Sequence, residues 1–100
     1  MAELIIKISD IPPGTGKQFE VNGQAIAVFN ADGKFFAIDD TCTHAQASLS
    51  EGTLEGETVY CPWHGAQFDL QSGKPLCLPA VKGVRTYPTK VEGEILKIEV

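Results

Sequence analysis

Both histidines of this 100-residue chain, and two of its three cysteines, fall in two short pairs: Cys42-Thr43-His44 and Cys61-Pro62-Trp63-His64. Thiolate and imidazole are strong ligands for transition metals. Lone histidines are commonly exposed or satisfied by one hydrogen bond, so a single pair would say little. Two tight mixed pairs, separated by residues 45–60, point to a metal held between two loops. Any fold that serves both pairs must bring those loops side by side, and this requirement restricts the chain more than any other feature.

The length suits one domain, read here as residues 1–100, with its metal-binding part at about 40–80. Hydrophobic residues make up 43% and charged residues 21%, and no long apolar run or leader-like segment is visible. The chain is therefore expected to be cytoplasmic, with no membrane association. Eight basic residues scattered among thirteen acids give a formal charge of -5. That balance disfavours a nucleic-acid partner, which needs clustered Lys and Arg, and suits a basic protein partner. With the two pairs set aside only Cys77 remains, so no disulfide framework can form within the chain.

Turn residues recur at short intervals and no segment keeps a helical apolar period, which predicts an all-β protein. Leu4–Ile8 reads as a first strand, and Ile11–Gly16 as a turn built on Pro12-Pro13. Asn22-Gly23 predicts a hairpin between Phe19–Val21 and Ala25–Phe29, and Ala31-Asp32-Gly33 turns the chain into Lys34–Ile38. Thr58–Tyr60 is a β-favouring run that ends at Cys61. Gln67–Leu70 and Lys74–Leu76 form a second small hairpin across Gln71-Ser72-Gly73. Val84–Tyr87, Thr89–Val91 and Ile95–Val100 complete the strands, so each Cys/His pair follows a strand.

Two metal chemistries suit two cysteines and two histidines. One Zn²⁺ accepts the set, but zinc fingers usually pair Cys with Cys and His with His. Two irons bridged by sulfide divide the ligands instead, thiolates on one iron and neutral imidazoles on the iron that becomes ferrous, as in a Rieske [2Fe–2S] centre. A zinc-stabilised interaction module stays open beside the iron–sulfur reading.

The pattern Cys42-x-His44 followed by Cys61-x-x-His64-Gly65 resembles the Rieske signature. Gln67-Phe68-Asp69, Ser72-Gly73 and the loop Leu78-Pro79-Ala80 resemble its flanks. In length and lack of other modules the chain resembles the small Rieske ferredoxins of bacterial aromatic-ring-hydroxylating dioxygenases. The resemblance implies an antiparallel β-sandwich with a small cluster-binding subdomain formed by two loops. It implies one [2Fe–2S] cluster, with Cys42 and Cys61 on one iron and His44 and His64 on the other. It also implies an electron carrier between a flavoprotein NAD(P)H reductase and a terminal oxygenase, monomeric with transient complexes. A small Rieske-like subunit of another redox system, such as assimilatory nitrite reductase, is the alternative.

Departures from the respiratory branch of that family are informative. Ala47 and Trp63 stand where that branch has a pair of disulfide-forming cysteines, and Ala66 and Phe68 where it has a serine and a tyrosine that hydrogen-bond sulfur. Donors to sulfur favour the electron-rich reduced state, so their absence implies a potential toward the low end of the Rieske range, roughly -150 mV. No third histidine remains for a mononuclear iron, and there is no Ser/His/Asp set, phosphate loop or flavin fingerprint. The chain is thus expected to relay electrons without being an enzyme. Glu51, Glu55 and Glu57 form either a docking patch or an ordinary solvated face. Trp63 shields the metal or packs locally, and Cys77 is read as a small buried apolar residue.

Overall fold

Turn chemistry sets the register of the central sheet. In the computed structural model, which describes residues 3–41, 48–62, 66–76 and 83–100, Asn22 and Gly23 adopt φ of 53° and 79°. These left-handed values close a two-residue loop whose twist matches the flanking strands. The loop joins β2 (Gly16–Val21) to β3 (Gln24–Ala31), pairing Val21 with Gln24 and Gly16 with Phe29. Asp32 and Gly33, at 55° and 95°, do the same between β3 and β4 (Lys34–Asp39).

The remaining strands are β1 (Glu3–Lys7), β5 (Thr53–Glu55), β6 (Thr58–Tyr60), β7 (Gln67–Asp69), β8 (Thr86–Tyr87), β9 (Thr89–Glu92) and β10 (Ile95–Glu99). They form three antiparallel sheets with orders β1-β10-β9, β2-β3-β4-β8 and β5-β6-β7. The all-β antiparallel expectation is met. Among the described residues there is no α-helix, and no helix is long and apolar enough to cross a membrane.

β3 explains how three sheets make one body. From Ile26 to Ala31 every residue is buried, so both faces of the strand are covered. Side chains alternate across a strand. Ala27 and Phe29 therefore join one core with Ile38, Leu49, Val59, Phe68 and Leu70, while Ile26 and Val28 join another with Ile11, Ala37, Leu96 and Ile98. The central sheet is thus packed by the β5-β6-β7 sheet on one face and by the sheet of the two chain ends on the other. At roughly 1.5–3 kcal/mol for each fully buried large apolar side chain, these two cores dominate stability.

Most strand ends differ from the sequence reading by one or two residues, the β8 strand keeps only Thr86–Tyr87 of Val84–Tyr87, and three differences bear on the turns. Ile8 leaves β1 and starts a 3₁₀ turn, Ile8–Asp10, and Gly16 opens β2 instead of closing the preceding turn. The returning arm at Lys74–Leu76 reduces to one bridge between Phe68 and Pro75, flanked by Asp69 N to Lys74 O and Leu76 N to Gln67 O bonds. Pro75 lacks the N–H that a continuous ladder needs.

At the end of β4 the Tyr87 hydroxyl donates to Asp39 Oδ1 at 2.5 Å, and Gln24 Nε2 donates to both oxygens, at 2.7 and 2.9 Å. Burial first, then the bond to Asp39, pushes the Tyr87 phenol from 10.0 up to about 12. Folding therefore favours the protonated phenol. The associated stability is fully present below pH 10 and disappears as pH rises through 12. Thermal denaturation followed between those values is expected to show a falling Tm in the wild-type chain and a flatter profile in Tyr87→Phe.

Candidate metal centre

The two Cys/His segments are flanked by described residues that form two necks held against each other. The first begins where β4 ends. Asp40 N donates to Ala25 O at 3.1 Å, Thr41 bridges Ser48, and Leu49 N donates to Asp40 O at 2.7 Å. Residues 42–47 are spanned by this closure. The second begins where β6 ends, with Cys61 N donating to Ala66 O at 2.6 Å across residues 62–65. A third segment, 77–82, is bracketed by Leu76 N to Gln67 O and Val84 N to Gly73 O, both 2.8 Å.

Cys61 is 3% exposed and shares a core with Leu49, Ala66, Phe68 and Val84, which come from all three necks. Of the four sequence-assigned ligands, Cys61 is the one the structure places. Cys42, His44 and His64 lie outside the described residues, as do Ala47, Trp63, Gly65, Cys77 and the Leu78–Ala80 loop. A thiolate in an apolar, closed surrounding suits the shielded side of an iron–sulfur centre, where water would compete for the metal and hydrolyse the bridges. The chemistry of the two Cys/His pairs and the setting of Cys61 fit such a group. Ala66 and Phe68 are both 0% exposed. These two positions, neither of which carries a hydroxyl, therefore line the same core as Cys61.

Sequence reasoning missed two residues that hold this arrangement. The 3₁₀ turn Leu49–Glu51 bridges the loops, since Leu49 fills the core beside Cys61 and Gly52 closes the turn with an N–H bond to Leu49 O at 2.9 Å. A Cβ on Gly52 would collide with the carbonyl oxygen of Tyr60, the residue before Cys61. Its φ is an ordinary -77°, so close approach, not chirality, demands glycine. The second residue is Asp40, whose carboxylate is almost completely buried. A glycine after Ser-Glu, and an acid ending an apolar strand, were the only available signals. Of the acids between the loops, Glu57 pairs with Lys34 at 3.4 Å, an exposed contact worth at most about 1 kcal/mol.

Comparison with known proteins agrees with this construction. Residues 2–88 match the family model of the Rieske [2Fe-2S] domain. The ferredoxin component of the naphthalene 1,2-dioxygenase/salicylate 5-hydroxylase systems of Ralstonia sp is 43% identical, with 92% of this chain and 90% of that protein covered. Among solved structures, the ferredoxin of carbazole 1,9a-dioxygenase from Nocardioides aromaticivorans IC177 superposes with a TM-score of 0.88, at 31% identity, over 94% of this chain and 92% of that one. A chain in the complex of reduced oxygenase and oxidized ferredoxin in carbazole 1,9a-dioxygenase gives 0.85, at 35% identity, over 94% and 91%.

Replacing Gly52 by Ala forces the turn after the first loop away from the end of β6. Overpacking of this kind costs about 1–3 kcal/mol. Urea denaturation of the metal-free chain is expected to report that loss, whereas Glu51→Ala, on the exposed side of the same turn, is expected to stay within about 0.5 kcal/mol.

Proposed function

The chain belongs to the Rieske [2Fe-2S] domain family, and we propose that Cys42 and Cys61 hold one iron through sulfur while His44 and His64 hold the other through a ring nitrogen. A single Rieske-type cluster is the group this family carries, which removes the zinc alternative. When bound, it supplies reversible one-electron redox chemistry. The relatives are ferredoxin components, electron carriers and not catalysts.

We infer that this chain is the ferredoxin of an aromatic-ring dioxygenase system. It accepts electrons one at a time from a flavin-bearing NAD(P)H reductase, dissociates, and delivers them to a terminal oxygenase. The observation that carries this reading is Cys61, buried at the neck of the second loop in a core shared with the turn that ends the first. The related complex of oxygenase and ferredoxin supports the oxygenase as partner. Relatives serving naphthalene and carbazole systems share the fold, as expected for a carrier that never touches the substrate.

The chain's own residues set three properties. The apolar lining from Leu49, Ala66 and Phe68 excludes water from the Cys61 side, and Ala66 and Phe68 bring no hydroxyl to it, in keeping with the low potential that the departures from the respiratory branch imply. His44 and His64 would, as the resemblance to the family implies, offer the edge at which electrons pass. A brief, small contact at that edge favours turnover. Pairing of β1 with β10 ties both ends of the described chain into one sheet, which supports the reading of a single domain over residues 1–100.

Reconstitution tests the function. NADH-dependent oxygenation by a dioxygenase reductase and oxygenase pair is expected to require this chain, and no dependence on it would contradict the reading. The lining makes a separate prediction. Ala66→Ser, alone or with Phe68→Tyr, places a hydroxyl beside the ligand sulfur. One hydrogen bond to a charged acceptor is worth at least about 1.4 kcal/mol, so redox titration should find the midpoint raised by roughly 60 mV.

A further inference from the structure

Asp40 is a buried acid that electron transfer itself does not use. It is 1% exposed, and no described basic side chain forms an ion pair with it. Burying a carboxylate is costly unless its oxygens are satisfied. Here both are: Oδ1 accepts from Ser50 N at 2.9 Å and Oδ2 from Gln18 Nε2 at 2.6 Å. Both facing groups are donors. Aspartate, with two acceptors and no donor, meets them without rearrangement. Its backbone adds the bonds from Asp40 N to Ala25 O and from Leu49 N to Asp40 O. One residue therefore ties together β2, β3 and the turn that ends the first ligand loop, two positions before Cys42.

We propose that Asp40 is a positioning residue for the iron–sulfur cluster, fixing both ends of the 42–47 loop against the body of the protein so that Cys42 meets the metal at a defined place. This rests on the assignment of Cys42 as a ligand. Gln18 acts with it from the neighbouring strand, reaching across the sheet from an exposed position. Residues that orient metal ligands in this indirect way typically alter metal retention by about 10–100-fold when removed.

The test compares Asp40→Ala, Asp40→Asn, Gln18→Ala and Cys42→Ser with the wild-type cluster-loaded protein. The readouts are the electron paramagnetic resonance g values after dithionite reduction and the rate of iron release to a chelator. Asp40→Ala is expected to shift the g values and speed release by about 10–100-fold. Asp40→Asn is expected to restore both, because its oxygen still accepts from Ser50 and the exposed Gln18 amide can rotate to accept from its nitrogen. Gln18→Ala, which leaves the Ser50 bond in place, is expected to shift both readouts less and in the same direction. Wild-type g values and release in Asp40→Ala, with only a lowered Tm, overturn the proposal and assign Asp40 a purely structural role. Should Asp40→Ala not fold, wild-type behaviour of Gln18→Ala overturns it instead. A Cys42→Ser variant that loads and behaves as wild type would contradict the ligand assignment, a failure distinct from that of Asp40.

Discussion

The double-sided burial of β3 is the constraint on which the other parts depend. A strand with one wet face would support only one packing layer, and the β5-β6-β7 sheet would then have nothing to rest on. Because Ala27 and Phe29 point one way and Ile26 and Val28 the other, the same eight-residue strand anchors the sheet of the chain ends and the sheet whose β6 leads into the second Cys/His pair. β4 continues this arrangement, with Ile38 and Ala37 divided between the same two cores, and then delivers Asp40 directly into the first loop. Scaffold and site are consecutive residues of one strand.

The site follows from that anchoring. Short loops cannot define ligand positions by themselves, and here each neck is closed by backbone bonds of 2.6–2.8 Å and backed by a buried side chain: Leu49 for the first, Cys61 and Ala66 for the second, Val84 for the third. The contact of Gly52 with the Tyr60 carbonyl brings the first two necks together with no side chain between them. The apolar character of this lining also has an electronic consequence. Ala66 and Phe68, which share the core with Cys61, bring no hydroxyl to it, and hydrogen-bond donors around a metal centre are one of the means by which a protein tunes its potential.

Local chemistry made much of this legible in the sequence. Asn22-Gly23 and Asp32-Gly33 announce hairpins because few other dipeptides tolerate the left-handed values they adopt. The β-favouring run Thr58–Tyr60 coincides with β6. The Cys/His spacing named the metal chemistry through resemblance to a family. Non-local facts stayed hidden. The run Ala25–Phe29 is apolar throughout, so nothing in it divides the residues between two cores. Pairing of β1 with β10 joins opposite ends of the chain, which no local pattern encodes. The 3₁₀ turns have no period to detect. Asp40 carries no local signal of its role, because an acid beside a metal motif looks the same whether exposed or fully buried.

The division of labour between sulfur and imidazole is the central claim, and the chain's two histidines make it directly measurable. Protein grown with ¹⁵N-histidine, loaded with its cluster and reduced with dithionite, can be examined by pulsed electron paramagnetic resonance. The account predicts couplings from two histidine nitrogens, one lost when His44 is replaced and the other when His64 is replaced. A paramagnetic cluster with no histidine coupling, or one unchanged by both replacements, would contradict it.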